Sequence, residues 1–100
     1  MRIVKEVLEF NWDKGNIDKN KKHDVEDKEA EEPFLDENKV IFIDAFHLEK
    51  EKRFVLIGKT KNKRVLYMVF TKRNKKIRII SARDINRKEV HLYEKKISVT

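Results

Sequence analysis

Residues 64–83 read RVLYMVFTKRNKKIRIISAR, two apolar runs around a short basic segment. The first run, Arg64–Thr71, carries Val65, Leu66, Tyr67, Val69 and Phe70, and the second, Ile77–Arg83, carries Ile77, Ile79 and Ile80. β-Branched and aromatic residues suit a pleated, half-buried surface, so each run predicts a strand. Lys72–Lys76 between them is short and polar, which makes the pair a hairpin. In a regular strand over 77–83, Ile77, Ile79, Ser81 and Arg83 share one face and Arg78, Ile80 and Ala82 the other. Working back, Lys59–Lys63 is a second polar turn, Arg53–Gly58 another strand, and Val40–Phe46 an apolar run that fits a buried strand. Runs separated by about five polar residues predict an antiparallel meander of about four strands.

The flanks read as helical. Asp13 stands ahead of Lys14–His23, where its carboxylate can accept the first free backbone N–H groups of a polar helix. Ile17 is the main apolar contact of that helix, and Gly15 weakens its start. A second helix is expected over about Asp27–Glu32, with Glu26 and Glu29 as an imperfect capping box and Val25 and Ala30 in the staple positions. Pro33 ends it. Arg2–Phe10 fits either an N-terminal strand or a short helix, and periodicity does not choose between them. Near the other end, Asn86 and Glu89 have the spacing of a helix start, and Val90, Tyr93 and Ile97 form one stripe. The expected class is α+β: one domain over residues 1–100, with an antiparallel sheet, two N-terminal helices and one C-terminal helix.

Composition narrows the function. Of 100 residues 43% are charged and 39% hydrophobic, enough for one small core. Cysteine is absent, which excludes disulfides and thiolate metal sites. No apolar run approaches the ~18–20 residues of a membrane span, and the N-terminus lacks the apolar centre of a secretory leader, so the cytoplasm is the expected location. Charge is unevenly placed. Residues 1–38 hold 7 basic and 12 acidic side chains, whereas residues 39–100 hold 18 basic and 6 acidic. A basic, β-rich half has two readings, a surface for a polyanion such as nucleic acid or a solvated lysine-rich face.

Particular residues favour the first. Phe10, Trp12-Asp13, Asn20, Lys22-His23, Val25, Glu29-Ala30 and Phe34 resemble the N-terminal part of the BrnT toxins. Arg53, Ile57-Gly58, Arg64 and Leu66 continue the pattern, followed by Thr71, Arg73, the stretch Ile77-Arg78-Ile79-Ile80-Ser81-Ala82-Arg83, Glu89 and Tyr93. Glu26 and Pro33 depart from it. The resemblance spans roughly residues 10–94. It implies a RelE-like fold and a small, metal-independent endoribonuclease that inhibits translation. It also implies a BrnA-like antitoxin of the ribbon-helix-helix class, which neutralises the toxin and carries the complex to operator DNA.

Such a reaction needs no cofactor. The ribose 2′-OH loses a proton as it attacks the adjacent phosphate, the 5′-oxygen gains one as it leaves, and the charge between must be stabilised. Arg73 and Arg83 are the first candidates for that charge, since a guanidinium stays protonated and meets phosphate with paired hydrogen bonds. His23 has the intrinsic pKa for proton transfer, or simply complements a helix C-terminus. Arg64 and Arg78 can bind RNA or lie over the sheet with their heads in water. Lys22 can track the backbone. Tyr93 can stack on a base or, as its spacing with Val90 suggests, pack against the sheet. The three histidines have no metal-ligand spacing. An antitoxin covering the site is expected to present acidic or apolar surface to residues 64–83.

Overall fold

The computed structural model describes residues 8–44 and 51–98, with 95–98 as backbone alone. Its class is α+β. Four strands, β1 (Val40–Ile43), β2 (Phe54–Lys59), β3 (Val65–Arg73) and β4 (Lys76–Asp84), form one antiparallel sheet in sequential order. The meander read from the sequence is therefore present. Residues 45 and 46, the end of the first expected strand, lie outside the described residues.

Local chemistry sets the two turns. Between β3 and β4, Asn74 and Lys75 both have positive φ (51° and 67°), as a two-residue type I′ turn requires. Between β2 and β3, Lys63 takes the left-handed conformation (φ 65°) and Thr60 closes the loop, its N–H donating to the Arg64 carbonyl and its hydroxyl accepting from the Arg64 N–H.

The sheet separates two apolar clusters. On one side Leu56, Leu66, Met68, Phe70, Ile77, Ile79 and Ala82 pack against Val25, Ala30 and Phe34. Complete burial of Leu56, Leu66, Met68 and Ile79 stabilises the fold by about 1.5–3 kcal/mol for each side chain. On the other side Val55, Ile57 and Tyr93 are buried, with Val40, Val65, Tyr67, Val69, Ile85 and Leu92 around them.

Regular alternation fails in β4. Val69 pairs with Ser81 but Phe70 pairs with Ile79, so Ile80 is an extra residue without a partner in the ladder. The face assignment made above for residues 77–83 is corrected accordingly. Ile77, Ile79 and Ala82 share the first core, while Arg78, Ser81 and Arg83 lie opposite Thr71, Val69 and Tyr67 on the other face. One inserted residue thus turns Arg83 away from Ile77 and Ile79 and toward the side of Arg78.

The outer edge of β4 is closed by residues 9–20 rather than by a full strand. Phe10 forms a single parallel bridge with Ile77, flanked by Ile77 N–H to Glu9 O and Asn11 N–H to Ile77 O, both 2.8 Å. This bridge is the described part of the possible N-terminal strand, and residues 1–7 lie outside the described residues. Beyond the bridge, side-chain amides take over. The Asn16 amide donates to the carbonyls of Asn11 and Ile79, and Asn20 Oδ1 accepts from Ala82 N–H at 2.9 Å. Both asparagines are buried.

This use of Asn16 and Asn20 explains why Lys14–His23 is not the helix expected. The segment consists of turns followed by a 3₁₀ helix at Lys19–His23, with Asp18 left-handed at its start (φ 57°) and Asp24 at its end (φ 60°). Asp13 does accept a backbone N–H, that of Gly15 at 2.8 Å, but in a local turn. Helix α1 covers Asp27–Glu31 and continues as a 3₁₀ turn, Glu32–Leu35, in which Pro33 occupies the first turn. Glu26 makes no side-chain cap, and Val25 and Ala30 are fully buried as the staple positions required. Gly58 in β2 admits this 3₁₀ turn, because a Cβ there would lie 2.8 Å from the Pro33 carbonyl oxygen. Helix α2 covers Val90–Ser98, preceded by a reciprocal capping box in which Asn86 and Glu89 each accept the other's N–H, at 3.0 and 2.9 Å. Among the described residues the second N-terminal helix and the C-terminal helix are thus present as α1 and α2, whereas a 3₁₀ turn stands in place of the first helix expected. No helix among the described residues is long and apolar enough to cross a membrane.

Candidate nucleic-acid interface

The α2 side of the sheet is where the basic strands become a surface. Tyr93 and Leu92 cover its β1–β2 portion. Along β3 and β4 the same face presents, in register, Tyr67 opposite Arg83, Val69 opposite Ser81, Thr71 opposite Arg78 and Arg73 opposite Lys76. From Tyr67 to Arg73 the strand runs roughly 20 Å. Arginines mark both ends of that stretch.

At one end the Arg83 guanidinium lies 4.3 Å from the Tyr67 ring centroid and forks onto Glu89 at 2.9 and 2.8 Å. Stacking on an aromatic face and a bidentate carboxylate both hold the planar group in place. Glu89 is fixed in turn by the capping box, so helix α2 sets the aim of Arg83. The Arg83 fork holds the Glu89 carboxyl below its ordinary range, with the Asn86 N–H assisting. Burial, then the nearby Glu89 charge, pushes the Tyr67 hydroxyl up. At neutral pH Glu89 is therefore ionised and Tyr67 keeps its proton.

At the other end Arg78 forks onto Asp13 at 2.8 and 2.9 Å and donates to Asn11 Oδ1 at 2.8 Å. Its head lies so close to Gly15 that a Cβ there would come within 2.5 Å of a guanidinium nitrogen. Arg73 forks onto Glu51 at 2.7 Å through both contacts. Arg78 holds Asp13, and Arg73 holds Glu51, below the ordinary carboxylate range, and the field of Arg53 also reaches Glu51. Three arginines and two carboxylates thus form one cluster.

The remaining sequence candidates lie elsewhere. All five N–H groups of Arg64 are engaged: two by Asp84, one by Glu29, and one each by the carbonyls of His23 and Asp24. Arg64 ties the 3₁₀ turn, α1 and the end of β4 together. His23 and Lys22 are exposed on that 3₁₀ turn, beside the outer edge of β4. Only the His23 carbonyl meets one of the candidate arginines, Arg64. Tyr93 is buried and its hydroxyl donates to Asp36 Oδ2. Burial, then the Asp36 carboxylate, pushes that hydroxyl far above the usual range.

Sequence reasoning missed Tyr67, Arg53 and Glu51. Tyr67 stands in the decisive hairpin, but only the bulge at Ile80 sets it opposite Arg83. Glu51 has no motif around it and becomes relevant through Arg73 alone. Among the described residues no group of His, Asp or Glu is arranged to hold a metal ion.

The family model for the ribonuclease toxin BrnT of type II toxin–antitoxin systems matches residues 12–89. No curated protein matches the chain significantly.

Proposed function

The chain belongs to the BrnT family of ribonuclease toxins from type II toxin–antitoxin systems, and from that premise we propose that it cleaves RNA laid across the β3–β4 face. The observation that carries this reading is the bulge at Ile80, which gathers Arg73, Arg78 and Arg83 on one side of the hairpin. In this reading Arg83 stabilises the charge of the pentavalent phosphate, and Arg73 and Arg78 hold neighbouring phosphates. The Tyr67 ring offers a stacking surface, and its retained proton is available to the departing 5′-oxygen. The 2′-OH is the nucleophile: it bonds to phosphorus as the bond to the 5′-oxygen breaks and gives its proton to solvent, and no metal or cofactor is needed.

Arg64 holds the scaffold and does not contact RNA. Tyr93 anchors α2. His23 and Lys22, beside the β4 edge, serve at most the margin of the RNA path. The fold is proposed to be RelE-like, with inhibition of translation as the outcome in the cell.

Family membership implies an antitoxin partner. We infer that it is a BrnA-like ribbon-helix-helix protein presenting acidic or apolar surface to residues 64–83. A neighbouring gene for such a protein is the simplest support. The enzymatic test is cleavage of a labelled single-stranded RNA, with EDTA present, by the wild type, Arg83→Ala and His23→Ala. The expected result is near-complete loss for Arg83→Ala and substantial retention for His23→Ala. Full activity of Arg83→Ala would remove the proposed site.

A further inference from the structure

Each of the three arginines on the proposed RNA face is already forked onto a carboxylate, in the geometry a phosphate would take. The three carboxylates are held very differently. Asp13 is itself 54% exposed, but it is fixed by the Gly15 N–H, and its partner Arg78 is only 12% exposed and also bonded to Asn11. Glu89 accepts the Asn86 N–H within the cap of α2 and is 15% exposed. Glu51 accepts hydrogen bonds from Arg73 alone among the described residues, and both members of that pair face solvent, at 39% and 51% exposure. It belongs to no helix or strand.

We propose that Glu51 occupies the position of an RNA phosphate on Arg73 and is displaced when the substrate binds. Asp13 and Glu89 remain in place as struts that orient Arg78 and Arg83. The inference rests on the RNA face proposed above and adds that one of its phosphate subsites is gated by a carboxylate of the same chain. The charges support the asymmetry. Arg53 and Arg78 both act on Glu51 besides Arg73. When Glu51 leaves, Arg73 therefore remains beside other cations, a setting that favours an incoming dianion or diester. An exposed ion pair contributes little to folding, so its loss on substrate binding costs little. The same modest strength makes Glu51 a weak competitor that tunes affinity without blocking it.

The test is the dissociation constant of a short fluorescein-labelled 2′-O-methyl oligoribonucleotide, which lacks the attacking hydroxyl, measured by anisotropy at low salt. Four proteins are compared: wild type, Glu51→Gln, Arg73→Ala and Glu26→Gln. Glu26 is exposed at the start of α1, on the opposite side of the sheet, and its replacement makes the same change in net charge. Glu51→Gln is expected to bind roughly threefold tighter or more than Glu26→Gln, and Arg73→Ala to bind more weakly than wild type. Equal affinities for Glu51→Gln and Glu26→Gln, with Arg73→Ala still impaired, would overturn the gate and leave the RNA face standing. Unimpaired binding by Arg73→Ala would remove the subsite and the gate together. Melting temperatures measured in parallel verify that each variant is folded.

Discussion

Arg64 provides the sharpest separation of scaffold from substrate contact. Arg64→Ala removes every partner of one guanidinium at once: the Asp84 fork, the Glu29 contact at 3.0 Å, and the bonds to the carbonyls of Asp24 and His23 at 2.6 and 3.0 Å. Asp84 is 62% exposed, so its pair with Arg64 contributes at most about 1 kcal/mol. Glu29 and Arg64 are 20% and 22% exposed, and the two carbonyls close the 3₁₀ turn, so these three charge-assisted bonds are worth about 0.5–1 kcal/mol each after allowance for partial exposure. The expected loss is about 2–3 kcal/mol, a fall in Tm of roughly 10–20 °C for a domain of this size. Arg64→Lys restores less than half, because an ammonium cannot reproduce the planar fork. The assay is thermal denaturation by circular dichroism, followed by oligonucleotide anisotropy well below the variant's Tm. Stability should fall while RNA affinity per folded molecule stays near wild type. An unchanged Tm combined with lost RNA binding would refute the structural assignment and return Arg64 to the substrate side.

Other substitutions separate the remaining roles. Tyr67→Phe keeps the ring under Arg83 and removes the hydroxyl, so kcat for RNA cleavage should fall about 100-fold with KM little changed, whereas Tyr67→Ala should raise KM as well; equal kcat for Tyr67→Phe and wild type would exclude the hydroxyl from proton transfer. Asn20→Leu leaves the Ala82 N–H buried without an acceptor and should cost about 1–3 kcal/mol in urea denaturation, and an unchanged midpoint would mean that the segment at 16–20 does not close the β4 edge in solution. Acid should destabilise the fold in a defined window. Asp84, held down by Arg64, and Glu89, held down by Arg83, have folded values below their ordinary range. Asp36 is also lowered, by Tyr93 and the N–H groups of Asn38 and Lys59 acting against burial. The unfolded chain therefore takes up these protons first, and Tm should be level above about pH 5 and decline as pH falls through about 4; a Tm that rises on acidification would contradict these pairings.

The hairpin and the meander were legible because Val65–Phe70 and Ile77–Ile80 have the composition of strands and their turns are polar. Asn86 with Glu89 was legible too, since a capping box is a local signal. The bulge was not. Counting back from a two-residue turn at Asn74–Lys75 pairs Tyr67 with Ala82, and no local pattern reveals that Ile80 is skipped; the preference of Ala82 for the first core and of Asn20 for its amide decide it. The first expected helix failed for a related reason. Asn16 and Asn20 read as ordinary polar positions, yet both are buried against β4, a long-range use that no local propensity encodes. The arginines were visible as chemistry, but their partners Glu51, Asp13 and Glu89 lie 22, 65 and 6 residues away. Only the folded chain separates Arg64, with all its donors engaged, from Arg83 on an open face.

The unpaired residue in β4 makes this surface sensitive to the register of the ladder. Replacing the arginines one at a time would weaken its charge by steps, with the sheet intact. Closing the bulge with Ile80 retained, so that Ile80 pairs with Val69, would instead exchange the sides of Ala82 and Arg83 at one stroke. A methyl group would then meet Tyr67 while a guanidinium was driven toward Leu66 and the apolar core around Val25. Deleting Ile80 would have the opposite effect, leaving Ser81, Ala82 and Arg83 opposite Val69, Met68 and Tyr67, so the register of the strand and not its length aims Arg83.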